Sequence, residues 1–255
     1  MGTLVGSIFR NTLAAQFNGI TQRVIRDSPT LGADNVGAFS FWFRPTVVPT
    51  SEDFRTIISL GSSTAGNNAT LSIHVRWNEG TGSAPKLAIL TRRVNGSANL
   101  SETYGNTVIV AGTLYHIVVQ SNGSAWSLYI NGVAETLSNF LTSDGANPGH
   151  WFSDIGITNK RLSIGARTFN GAAVGFFNCK IDEVAYVGRA LTGSEITALY
   201  NSGTPRNPHR IGFGSDLKSW YRMGDSRDSA TTIYDEIGSD HLTLVNMDAS
   251  NYGTP

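Results

Sequence analysis

The chain has 255 residues, with 19 Lys and Arg balanced by 19 Asp and Glu. That length can bury a stable core without staples, and zero net charge argues against a general nucleic-acid or anionic-membrane surface, which needs a basic excess. Cys179 is the single cysteine, so an internal disulfide and a Cys-based metal site are excluded.

The 28 glycines, with frequent Ser, Thr, Asn, Val and Ile, give an all-β composition with many turns. The first residues lack the long apolar core of a signal peptide, and no apolar run reaches membrane-spanning length. Residues 1–13 read as an N-terminal arm. Ala14–Ile25 reads as two strands joined at Asn18-Gly19, a dipeptide that favours hairpins because both central positions need positive φ. In Ala38–Pro45, Phe39, Phe41 and Phe43 alternate with Ser40, Trp42 and Arg44, which predicts a strand with a Phe core face and Trp42 opposite. Phe54–Leu60, Thr70–Trp77, Lys86–Val94 and Thr107–Val110 follow as strands between Gly, Ser and Asn clusters. Thr113–Ser121 and Ala125–Ile130 are further strands, with turns at Asn122-Gly123 and Asn131-Gly132. Trp126 is in phase with Leu128 and Ile130 and is expected in the core. Ser138–Asn159 reads as a long irregular loop.

Arg161–Thr168 and Phe176–Val187 are the closing strands, separated by Gly-rich sequence. The period then changes: Leu191, Ile196, Leu199 and Tyr200 fit one helical face, with Gly193-Ser194-Glu195 at the start and Asn201-Ser202-Gly203 before Pro205 at the stop. After Pro205 the composition shifts, and Leu217–Met223, Thr232–Tyr234 and His241–Val245 read as short strands. Residues 206–255 are too few for a sturdy domain and are expected to pack on the sandwich or on a neighbour, dispensable for folding of the rest.

Six blocks carry a family resemblance in order and spacing: AAQFNGITQRVIRDSPTL, GAFSFWFRPT, TIISLG, LYHIVVQSNGSAWSLYINGVAE, LSIGART and FFNCKIDEVAYVGRALTGSEITALYNSGTP. Together, residues 14–205 resemble a laminin-G-like domain of the concanavalin A-like lectin/glucanase superfamily. The resemblance implies a jelly-roll sandwich of two antiparallel sheets with one short helix, followed here by a C-terminal extension. The tail, through Trp220, Arg222, Gly224, Asp225, Asp235, Gly238, Asn246 and Met247, resembles the C-terminal segment of laminin-G-like proteins of tailed-phage virions. That implies a non-catalytic virion protein, a capsid decoration or tail-associated jelly roll, with other virion proteins and its own copies as partners. The alternative is a lectin-like module that adheres to host surface glycans. Neither reading involves nucleic acid or a membrane.

Glucanases on this fold use a Glu-x-Asp-x-x-Glu strand to bring carboxylates into one cleft, and that motif does not occur here. The adjacent pair Asp182-Glu183 is expected to face opposite sides of its strand, which would keep the two groups apart. No enzymatic activity is therefore expected. Calcium is the family's usual ion; the resemblance points to Asp182, with Asp27 and Asp235 as partners. Asp182 can equally be structural, accepting backbone hydrogen bonds. For a glycan, exposed aromatic faces are needed, and Trp77 and Trp151 are the candidates. Cys179, inside an apolar strand, is expected to be buried and inert.

Overall fold

A computed structural model describes residues 11–51, 53–77, 83–95, 98–224 and 227–255. Most of the predicted arm (1–13), and Asp225 of the tail pattern, lie outside the described residues. The strands run β1 (Ala14–Asn18), β2 (Arg23–Asp27), β3 (Gly37–Pro45), β4 (Asp53–Ser62), β5 (Thr70–Trp77), β6 (Lys86–Arg92) and β7 (Leu100–Val108). They continue as β8 (Tyr115–Ser121), β9 (Trp126–Ile130), β10 (Val133–Ala134), β11 (Ser138–Thr142), β12 (Lys160–Ile164), β13 (Arg167–Phe169), β14 (Ala172–Val174) and β15 (Asn178–Val187). Helix α1 (Gly193–Tyr200) follows, then β16 (Leu217–Tyr221), β17 (Thr232–Ile233), β18 (Leu242–Val245) and β19 (Tyr252–Gly253).

Two antiparallel sheets dominate. One is ordered β10-β9-β8-β3-β15-β1-β19, with β16 also paired to β15; the other is β11-β7-β6-β5-β4-β12-β2-β18-β17. Between them lies one apolar core that includes Phe39, Phe41 and Phe43 from β3, Leu71, Ile73 and Val75 from β5, and Ile181 from β15. Alternation explains this: each strand buries one face, and period-2 patterning puts every second side chain inside. We call these the first and the second sheet. β15 is long enough to hold two partners end to end on one edge, β1 along Asn178–Ile181 and β16 along Val184–Val187.

The helix packs on the outer face of the first sheet. Ile196 and Leu199 join Ala38, Val118, Ala185 and Trp220 in a separate apolar cluster; burying each of these two helical side chains contributes about 1.5–3 kcal/mol. Trp42 is covered by this layer, stacking on Tyr200 at 6.2 Å. Thr192 caps α1: its Oγ accepts from the Glu195 N–H at 3.3 Å, and Glu195 accepts from the Thr192 N–H at 2.8 Å. The left-handed C-cap is Asn201, with φ 45°, the first residue of the expected Asn201-Ser202-Gly203 stop.

Several expectations need correction. Asn18-Gly19 is not a hairpin. β1 belongs to the first sheet and β2 to the second, so this turn crosses the sandwich. Gly19 has φ +72°, Asn18 does not share the positive φ that the hairpin turn needs, and the Asn18 Oδ1 accepts from the N–H groups of Ile20, Thr21 and Gln22. β7 begins at Leu100, well before the expected Thr107, and the supposed loop after Ser138 contains β11, paired to β7. Residues 206–255 pack on the sandwich rather than on a neighbour, one of the two expected placements. β16 and β19 extend the first sheet, β18 pairs β2 in the second, and Tyr221, Met223, Ile233, Leu242 and Leu244 enter the main core.

Candidate functional site: an amide-lined cleft

A cleft of about 330 Å³ opens on the outer side of the first sheet where β1 and β15 run side by side. The register sets Gln16 opposite Lys180 and Asn18 opposite Asn178. Phe17 and Cys179, one residue out of phase, face the core, so the four polar side chains face outward together. Gln22, Thr46 and Asn251 complete the wall, bringing three distant parts of the chain to one opening. The strands approach closely because residue 19 is glycine: a Cβ there would sit 2.7 Å from the Asn178 backbone nitrogen.

The amides divide into two kinds. Asn18 and Gln22 hold the crossing turn, since the Gln22 Oε1 accepts from the Asn18 N–H at 2.8 Å. Asn251 accepts from the Asp248 N–H at 2.9 Å. Lys180 donates to the Thr254 carbonyl and so ties the end of the chain to β15. The side chains of Gln16 and Asn178 make no hydrogen bond among the described residues. An amide carries two donors and an acceptor, so this pair can donate to and accept from a hydroxylated ligand. Ile20, 72% exposed, lies in the turn between the lining residues Asn18 and Gln22, and Val47, 56% exposed, follows the lining residue Thr46.

The residues singled out from the sequence lie elsewhere. Trp151 is fully buried: its indole N–H donates to the Tyr186 hydroxyl at 3.1 Å and its ring stacks on Phe152 at 5.0 Å. It fills the core and has no face to offer a sugar, which corrects the expectation; a loop position said nothing of the cavity the ring fills. Trp77 is half-buried at the end of β5, in phase with the core residues Ile73 and Val75. Trp126 is in the core, its indole donating to the His150 carbonyl at 2.8 Å. Asp27 is paired with Arg161 at 2.6 Å on the second sheet. Asp182 accepts from the Glu183 N–H at 2.8 Å, and Asp235 accepts from the N–H groups of Trp220 and Ile237, both at 3.0 Å. The three aspartates are thus engaged separately, and among the described residues no group of three or more His, Cys, Asp or Glu comes together.

The carboxylates Asp182 and Glu183 do not alternate as expected. Glu183 has φ +49° at an irregularity in the β15–β3 pairing, which turns both onto the outer side. Glu183 there accepts from the Trp220 indole at 2.6 Å and from Arg222 at 3.5 Å. Burial raises the Cys179 thiol well above its usual range, so it stays protonated.

Two packed antiparallel sheets with an outer helix and an outward polar cleft define a lectin-like jelly-roll sandwich. Residues 18–197 match the laminin-G-like model of the concanavalin A-like lectin/glucanases superfamily, and the chain belongs to that family. No curated protein matches the chain. Among solved structures, a Bacteroides ovatus protein assigned provisionally to carbohydrate binding is similar at 17% identity and TM-score 0.62, covering 96% of this chain and 60% of its own. A carbohydrate-binding module of Ruminococcus gnavus sialidase, bound to α2,3-sialyllactose, is similar at 14% identity and TM-score 0.54, over 73% of this chain and 96% of that one. A heptameric pentraxin of Limulus polyphemus is similar at 15% identity and TM-score 0.54, over 95% and 99%.

Proposed function

We propose that the protein is a non-catalytic glycan-binding module and that the cleft between β1 and β15 holds the sugar. The observation that carries this reading is the pair Gln16 and Asn178, whose amides line the opening with hydrogen bonds unmade. A sugar hydroxyl donates and accepts at once, as an amide side chain does. Sugar rings also carry apolar C–H faces, for which the exposed Ile20 and Val47 are the candidate contacts. The carbohydrate-binding proteins among the structural neighbours support this reading over the virion role implied by the tail.

The test is a glycan array probed with the full chain, followed by calorimetric titration of the best neutral oligosaccharide. Asn178→Ala and Gln16→Ala each remove hydrogen bonds worth about 0.5–1.5 kcal/mol, so each is expected to weaken binding by roughly 2- to 12-fold. Array silence, or affinity unchanged in the Gln16→Ala/Asn178→Ala double variant, would contradict the assignment.

A further inference from the structure

On the opposite side of the sandwich, the hairpin β13–β14 folds over the outer face of β4. It is clamped there: the Thr168 N–H donates to the Ser59 hydroxyl at 3.1 Å, and that hydroxyl donates to the Ala166 carbonyl at 3.3 Å. Gly61 beneath has no room for a side chain, since a Cβ would come within 2.0 Å of the Thr168 carbonyl oxygen. This clamp fixes Arg167. Its guanidinium carbon sits over the Phe54 ring, 4.2 Å from the ring centre, and over the Phe169 ring at 4.6 Å.

Arg167 makes no hydrogen bond or ion pair among the described residues. The nearby carboxylate, Glu102, is fully buried and already accepts from the His74 Nε2 at 3.0 Å and from Arg76 at 3.1 Å. Burial, together with the neighbouring positive charges of Arg92 and Arg76 and against the pull of Glu102, lowers Arg167 to about 10. On the same face of the second sheet, the hydroxyls of Thr56 and Ser72 are buried with no hydrogen-bond partner among the described residues. The Arg167 Nε is buried with no hydrogen bond among the described residues, and a guanidinium is built to pair with a planar carboxylate through a two-bond fork, here from its two terminal nitrogens.

We propose that Arg167, held between Phe54 and Phe169, is the anchor of a second site that takes the carboxylate of an acidic sugar. The rings of Phe54 and Phe169 supply apolar surface beside that anchor, which suits a sugar acid better than a bare inorganic anion. The site lies on the other sheet from the amide cleft and does not depend on it.

The experiment is calorimetric titration of the full chain at pH 7 with two matched pairs: trigalacturonate against its methyl ester, and 3′-sialyllactose against lactose. At least one acid is expected to bind at least tenfold more tightly than its neutral partner. Arg167→Gln is expected to lower that affinity tenfold or more, with Arg167→Lys intermediate, and thermal unfolding of each variant reports whether the fold survives. Gln16→Ala and Asn178→Ala are expected to leave acid binding unchanged. Equal affinity for acid and neutral partner, or no binding of either acid, would overturn the proposal without any variant. So would a folded Arg167→Gln that binds normally, acid binding lost in the cleft variants instead, or equally tight binding of a sulfated disaccharide. Acid binding with no neutral-sugar binding would retain this site and reject the cleft, so the two readings fail separately.

Discussion

At the scale of single residues, His116 and Asp228 make stability depend on pH with opposite signs. His116 is buried between Trp42 and Tyr200, at ring distances of 5.1 and 6.1 Å, with its Nε2 2.8 Å from the Ser40 hydroxyl. Burial lowers it to about 3. Between about pH 3 and its unfolded value near 6.5, the unfolded chain binds a proton that the folded one refuses, so stability falls as pH falls. Asp228 is raised to about 6, chiefly by burial, and accepts from the N–H groups of Gly224 and Tyr234 at 2.7 Å each. Here the folded state holds the proton, and its contribution is present at low pH and lost as pH rises from about 4 through about 6. In that window the two slopes oppose each other. Asp228→Asn removes one of them, so urea unfolding from pH 4 to 6 should show a dependence steeper than in the parent by up to about 1.4 kcal/mol per pH unit. An unchanged slope would refute the assignment to Asp228.

At the scale of elements, α1 is short and its cap matters in proportion. An eight-residue helix is marginal alone, so Thr192, Glu195 and the packing of Ile196 and Leu199 hold it together. Arg189 bridges Glu195 at 2.7 Å and Asp216 at 2.8 Å, which ties the helix start to the tail. Thr192→Ala is expected to cost about 1 kcal/mol, read as a lower denaturation midpoint with an unchanged m-value. A change in m instead would mean that the helix detaches on its own. The elements were the most legible part of the sequence. β3 showed its core face through Phe39, Phe41 and Phe43, and α1 through a change of period, because both are local consequences of side-chain spacing. Glu183 was not legible: its positive φ comes from the mismatch of β15 against β3, which no local pattern at Asp182-Glu183 records. The crossing at Asn18-Gly19 is hidden for a similar reason, since local turn chemistry does not say which sheet receives the next strand.

At the scale of the whole molecule, residues 206–255 complete the sandwich. Without them β2 loses its β18 edge, half of β15 loses β16, and the core around Tyr221, Met223, Ile233 and Leu242 opens. Replacing one such side chain by Ala costs about 2–5 kcal/mol, against a total of about 5–15 kcal/mol for a domain. A chain ending at Pro205 is therefore expected to lose its cooperative unfolding transition in calorimetry. A sharp transition for residues 1–205 would show that the tail is dispensable. The cleft was beyond sequence reading because Gln16, Asn178 and Asn251 are far apart in the chain and meet through pairing alone. Trp151 is an aromatic residue in a loop sequence, yet large rings fill cores as readily as they face ligands.

The pairing of β19 with β1 joins Ala14 to Gly253 and Ala15 to Tyr252. During synthesis, β1 must wait for a partner that leaves the ribosome some 240 residues later, far beyond the separation at which local contacts guide folding. At about 5–20 residues per second, that wait lasts on the order of 10–50 s, with one edge of β1 unmatched throughout. The cleft, with Asn251 in its wall, would then be complete only after β19 has docked, so recovery of binding on a nascent chain would time that docking.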